Sequence, residues 1–155
     1  MPANIAITFN TSTSESTTHL VDARFTSSDN IALQKSLSAT QADLIFEQRG
    51  TAEATPTEID LGLVSDQNGA LAVFATVKAL IICNKGEENP LSVYGSYFGD
   101  DAAITVPAGG ALTLLLPEGV EITPASNDKV KIGSAQGTEY ELRIVGQTEQ
   151  ENQEE

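Results

Sequence analysis

The residues able to do chemistry are few, and their spacing limits what they can do. His19 is the only histidine, with Ser16 and Asp22 three residues to either side. Serine, histidine and an acid are the parts of a nucleophile, its base and the base's orienting group. Such relays are assembled in space from distant segments, not along one stretch of chain. No G-x-S-x-G elbow accompanies them, so His19 reads as an ordinary surface or edge-strand residue. Cys83 is the only cysteine and closes the apolar run Ala79-Leu80-Ile81-Ile82-Cys83. A small buried hydrophobe is expected there. It has no partner for an internal disulfide, and one cysteine with one histidine falls short of a zinc site.

Oxygen ligands are more plentiful. Glu87-Glu88 precedes Asn89, and Asp100-Asp101 follows Gly99. Hard cations take clustered carboxylates, which makes Asp100 and Asp101 the candidate metal ligands. Neither cluster has the spacing of an EF-hand, and a solvated turn is the expected state. A paired-carboxylate glycosidase would add aromatic platforms for the sugar, and Trp is absent. Pro107-Ala108-Gly109-Gly110 has the glycines of a phosphate cradle without its following Lys and Ser/Thr, and reads as a hairpin turn. The expectation is a protein that is not an enzyme and needs no cofactor.

Charge narrows the partners. There are 22 acidic and 8 basic residues, a net charge of −14. Such a surface repels phosphate and gains nothing from counterion release, so neither nucleic acid nor an anionic membrane is an expected partner. The longest apolar runs, Ala79–Cys83 and Ala111–Leu116, are too short to span a bilayer. Met1-Pro2-Ala3-Asn4-Ile5 has no basic region and no apolar stretch, so no signal peptide is expected. That fits synthesis in a cytoplasm.

The elements that must position these residues are strands. Val77–Cys83 is a β-branched and aliphatic run. Leu91–Phe98, Ala103–Val106, Leu112–Leu116 and Lys129–Ile132 follow at short intervals, broken by Gly, Pro, Asn and Asp. Glu139–Val145 alternates, with Tyr140, Leu142 and Ile144 on one face and Glu139, Glu141 and Arg143 on the other. In the first half, Ile5, Ile7 and Phe9 alternate as a strand, Asn10–Thr18 reads as a Ser/Thr-rich connection, and Leu20–Phe25 is extended. Ile31–Ala39 fits a strand or a short helix, with extended structure favoured because Ser and Thr dilute helix propensity. Ala42–Gln48 and Thr57–Leu63 are further strands. The fold expected is all-β: an antiparallel β-sandwich or jelly-roll-like domain with an extended N-terminal region and an acidic C-terminal tail. The divisions are N-terminal strands and loops at 1–65, a sandwich core at 66–146, and the tail at 147–155. Strand alternation sends Tyr94, Tyr97 and Phe98 to opposite faces, so at least one aromatic is expected to face outward.

The order of these segments carries a resemblance. Val77-Lys78-Ala79-Leu80-Ile81-Ile82-Cys83-Asn84 is followed by Leu91-Ser92-Val93-Tyr94-Gly95. Then come Ile104-Thr105-Val106-Pro107-Ala108-Gly109-Gly110-Ala111-Leu112 and Glu139-Tyr140-Glu141-Leu142-Arg143-Ile144-Val145-Gly146. With the upstream Phe25–Leu37, this resembles small β-sandwich structural proteins of tailed bacteriophages over residues 20–146. In those, a strand ending in Asn, a P-x-G-G turn and a final Y-x-L-x-I-x-G strand recur. The resemblance implies a virion component made in a bacterial host cytoplasm. Its role would be capsid decoration or stabilisation, or a tail or baseplate adaptor. The implied partners are the major capsid or tail protein and other copies of itself. The assembly contacts expected are the termini, with Ile5, Ile7 and Phe9 at one end and Glu151 and Glu155 at the other, together with Tyr94 and Tyr97. A carbohydrate-binding or host-surface-binding sandwich that uses Tyr94 or Tyr97 is the alternative.

Overall fold

The computed structural model describes the backbone of residues 5–19 and 23–37, and both backbone and side chains over 42–65, 69–99 and 102–148, except that only the backbone of residue 117 is described. Twelve strands follow one another: β1 (Ile5–His19), β2 (Ala23–Leu37), β3 (Leu44–Ala52), β4 (Thr57–Asp60), β5 (Val64–Ser65), β6 (Leu71–Ala72), β7 (Phe74–Asn84), β8 (Leu91–Tyr94), β9 (Ile104–Val106), β10 (Ala111–Glu121), β11 (Lys129–Gly133) and β12 (Thr138–Thr148). Among the described residues, the single helical turn is a 3-10 turn at Ser96–Phe98. All strand pairs are antiparallel. The chain is all-β, as its alternation and turn spacing predict.

It divides into two compact units, residues 1–40 and 41–155. In the first, β1 and β2 form a long two-stranded ribbon paired from Ile5↔Leu37 to His19↔Ala23. The stretch expected as a connection, Asn10–Thr18, is therefore the middle of a strand. Its Ser and Thr residues are compatible with extended structure, so composition alone did not separate strand from loop. Ile31–Leu37 is extended, as favoured.

The second unit is a sandwich of two four-stranded sheets. The long sheet has the order β10-β7-β12-β3 and the short sheet β4-β11-β8-β9. The chain crosses between them repeatedly, and β5 and β6 form a separate two-stranded hairpin between β4 and β7. Strands β3 and β4, grouped with the N-terminal region on sequence grounds, are built into these two sheets. One row across the inner face of the long sheet is Leu112, Ile82, Leu142 and Gln48, and the next is Leu114, Leu80, Ile144 and Phe46. Facing them from the short sheet are Ile59, Val130, Ile132, Leu91, Val93 and Val106. Most of these side chains are fully buried, and each contributes about 2 kcal/mol through the water it gives up. The inward set of β12 is Tyr140, Leu142 and Ile144, as alternation predicts.

Where two sheets meet end-on, buried polar groups fix the junction. Asn84 ends β7 and is 1% exposed. Its amide donates to the carbonyls of Asn89 and Val106, at 2.8 and 3.1 Å. Its oxygen accepts from the Gly86 N–H and the Thr138 hydroxyl, at 3.1 and 2.8 Å. One side chain thus ties β7 to the ends of β9 and β12 with its hydrogen-bonding capacity filled.

Three sequence expectations change here. Pro107–Gly110 makes a tight turn, Gly110 N–H to Pro107 C=O at 2.9 Å. It leads from β9 in the short sheet to β10 in the long sheet, so it is a crossover between sheets and not a hairpin. Turn residues specify a reversal, not which sheet receives the next strand. Second, the strand at Leu91 stops at Tyr94. Gly95 has φ of 112°, and a Cβ there would lie 2.5 Å from the Lys129 carbonyl. The chain turns at this point into the 3-10 turn, which breaks the alternation assumed for Tyr97 and Phe98. Third, Cys83 is half-buried, not buried. It is on the outer face of the long sheet, in a row with Ala111, Glu141 and Arg49.

Candidate interaction surfaces

The outward aromatic is Tyr94. In the short sheet it stands beside Lys131, which in turn pairs with Glu58 of β4. Inward neighbours on the same strands, Val93 and Ile132, are fully buried, so Tyr94 is on the outer face, where it is half-buried. Around it runs an ionic row. Lys131 Nζ is 3.3 Å from Glu58, and Lys129 reaches Glu58 at 3.9 Å and also bonds Asp60. The hydrogen bond from Lys129 holds the Asp60 carboxyl below its usual range, and the same bond raises the Lys129 ammonium. These groups are largely solvated, and their pairs orient side chains more than they stabilise the fold.

Tyr97 does something else. It packs against the core and meets Phe98 edge to face, with centroids 5.1 Å apart and planes at 86°. Its hydroxyl is buried without a protein hydrogen-bond partner, and burial pushes its ionisation up to about 12. Tyr97 is therefore a packing residue, and of the three aromatics of which at least one was expected to face outward, Tyr94 is the one on the outer face of the sheet.

The remaining sequence candidates are placed as follows. Ile5, Ile7 and Phe9 lie in β1 opposite Leu37, Lys35 and Leu33. Ser16 pairs with Thr26 and His19 with Ala23. Asp22, Asp100, Asp101, Glu151 and Glu155 lie outside the described residues. Glu87 and Glu88 are exposed. Among the described residues, no group of three or more His, Cys, Asp and Glu side chains comes together as a metal site.

An open depression of about 640 Å³ lies at one end of the long sheet's outer face. Arg49, Thr51, Lys85, Glu139, Tyr140 and Glu141 line it. Arg49 pairs with Glu141 at 2.9 Å, and Lys85 approaches the other oxygen of the same carboxylate at 3.8 Å. Burial raises the Tyr140 phenol, opposed by its hydrogen bond with Thr57. The depression joins two basic and two acidic side chains.

A surface not anticipated from the sequence is apolar. Leu63, Leu71 and Val73 are the large hydrophobic side chains exposed among the described residues, at 58%, 74% and 41%. All three belong to one short segment. The pairing Val64↔Ala72 and Ser65↔Leu71 puts Leu63, Leu71 and Val73 on one side of the β5–β6 ribbon, while Val64 turns inward and is 3% exposed. A signal was present in the chain: Asn68-Gly69 between two short alternating apolar runs is a strong hairpin dipeptide. Large apolar side chains are more often turned into the core, which sets this short segment apart from the other strands.

Compared with known proteins, the chain matches no family model, no curated protein and no solved structure.

Proposed function

We propose that this protein is a structural component of a tailed-phage particle, a capsid decoration or stabilising protein whose activity is assembly onto a larger shell. The observation that carries this reading is the apolar side of the β5–β6 hairpin. Among the described residues, no other large hydrophobic side chain is exposed. Here three aliphatic side chains face water in a two-stranded projection. Covering them against a partner removes apolar area from water. The acidic exterior keeps free subunits apart before that happens. The sequence resemblance over residues 20–146 supplies the particle, and a tail or baseplate adaptor would use the same surface. Among the described residues, the glycan-binding reading has one outward tyrosine, Tyr94, to work with, and assembly is favoured over it for that reason.

The test is the protein's location. It is expected in purified particles at a fixed ratio to the major shell or tail protein, measured by quantitative mass spectrometry. Replacing both leucines, Leu63→Asp with Leu71→Asp, is expected to lower occupancy about tenfold or more. Its melting temperature should stay close to that of the unaltered protein, because neither side chain is in the core. Absence from the particle, or full occupancy by the double variant, would sink the proposal.

A further inference from the structure

The four outer strands of the sandwich are not equally protected against pairing with another chain. In the short sheet the edges are β4 and β9, of four and three residues. In the long sheet, the β10 edge is broken by a register shift between Leu115 and Val120, where Lys78 caps the Glu118 carbonyl at 2.7 Å. Short length and irregularity are the usual defences of an exposed edge. β3 has neither. Its nine residues pair with β12 without a break from Leu44↔Gly146 to Ala52↔Thr138, and no strand lies on its other side among the described residues. It carries no proline. In an antiparallel ladder, alternate residues turn their N–H and C=O groups away from the partner strand. β3 therefore presents a straight row of backbone donors and acceptors.

The side chains of β3 suit one occupant in particular. The strand reads Leu44-Ile45-Phe46-Glu47-Gln48-Arg49-Gly50-Thr51-Ala52. Set against itself in the antiparallel sense about Gln48, Glu47 falls opposite Arg49, and Arg49 opposite Glu47. Ile45 falls opposite Thr51. On the inner face Phe46 falls opposite Gly50, whose own covering is the Tyr140 ring, 3.3 Å from where a Cβ would be. Every residue meets one of the same parity, so the outward backbone groups of one strand meet those of the other and both outer faces stay outward. The charges continue an existing pattern. Within one subunit, Arg143 bonds Glu47 at 2.6 Å and Arg49 bonds Glu141 at 2.9 Å. Joined at β3, each row across the outer face would run Arg143, Glu47, then Arg49 and Glu141 of the second copy, with signs alternating throughout. In a chain of net charge −14, this patch gathers three of the eight basic residues, Arg49, Lys85 and Arg143.

We propose that β3 is a homodimerisation edge, pairing antiparallel with β3 of a second copy about a two-fold axis at Gln48 to make one continuous eight-stranded sheet. The inference rests on β3 alone and stands independently of the virion reading. A two-fold interface of this kind is self-complementary by construction. The acidity of the two subunits opposes association, and the balanced charges along β3 provide a place where it can occur.

The experiment uses the full chain and measures mass in solution by light scattering and sedimentation over a concentration series. The unaltered protein is expected to approach twice 16.3 kDa. Arg49→Glu alone sets two acid–acid pairs across the axis, and Glu47→Arg alone sets two base–base pairs. Each is expected to weaken dimerisation about tenfold or more. An equimolar mixture of the two variants restores both opposite-charge pairs and is expected to recover the dimer as a heterodimer. Circular dichroism of each variant alone separates loss of pairing from loss of fold. A monomer at every concentration, a dimer indifferent to both substitutions, or a folded mixture that stays monomeric would overturn the proposal.

Discussion

Tyr97 shows how one side chain can report on its surroundings. Its ring fills space against the core and stacks edge-on to Phe98, while its hydroxyl is buried without a protein partner. An unpaired buried hydroxyl costs about 1 kcal/mol or more, the hydration it has lost. Tyr97→Phe keeps the ring and removes that cost. The variant is expected to be more stable than the unaltered protein by about 1 kcal/mol in denaturant unfolding at neutral pH. The same burial sets a pH dependence. The folded-state ionisation lies near 12 against 10.0 for a free phenol. The folded state therefore holds its proton where the unfolded chain has lost it. Stability is complete below about pH 10 and falls as pH rises from there towards 12. Tyr97→Phe should show a shallower alkaline loss, and an identical slope in the two proteins would contradict the burial argument. Asn84 is the counterexample among buried polar groups. It is as deep as any core residue, yet all of its donors and acceptors are used, and nothing in its local sequence distinguishes it from a turn asparagine.

At the scale of elements, the final strand explains its own ending. The Tyr140-x-Leu142-x-Ile144-x-Gly146 pattern places three large side chains inward and then a glycine. At Gly146 the ladder with β7 slips by one residue. A Cβ there would lie 2.0 Å from the Thr76 carbonyl and 2.8 Å from the Phe74 ring. The bulge brings backbone against backbone, and Phe74 closes over it. The same residue anchors the entry of β3, since the Gly146 carbonyl accepts from Asp43 N–H at 3.0 Å, and Asp43 in turn accepts from the Thr148 N–H and hydroxyl, both at 2.8 Å. Gly146→Ala is expected to destabilise the fold by about 3 kcal/mol, because the carbonyl it meets is held in the sheet and cannot swing away. Thermal unfolding of the purified variant checks this, and a melting temperature equal to that of the parent would show that the bulge yields more easily than its contacts imply.

At the scale of the molecule, residues 41–155 form a compact unit with two sheets and a core drawn from both. A fragment of these residues is expected to fold and unfold in one cooperative transition, with its tyrosine signal and far-ultraviolet signal changing together. Separate transitions, or a fragment lacking sheet structure, would show that the unit needs residues 1–40. The sequence by itself determined the class of this fold and most of its strands. Alternation and turn residues are local properties, and the inward set on β12 follows from a period of two. It also fixed the acidic character of the surface. What it left open was decided by tertiary partners. The Pro107–Gly110 turn is legible as a turn, but the sheet that receives β10 depends on β7. The strand at Leu91 reads past Tyr94, because the carbonyl that bars a side chain at Gly95 belongs to Lys129, distant in sequence. Cys83 reads as core, because the sequence of β7 is apolar on both faces and only pairing shows which face is inside. The same holds for the two surfaces proposed as contacts. Leu63, Leu71 and Val73 look like core residues until the hairpin turns them outward, and β3 looks like any other strand until its place in the sheet makes it an edge.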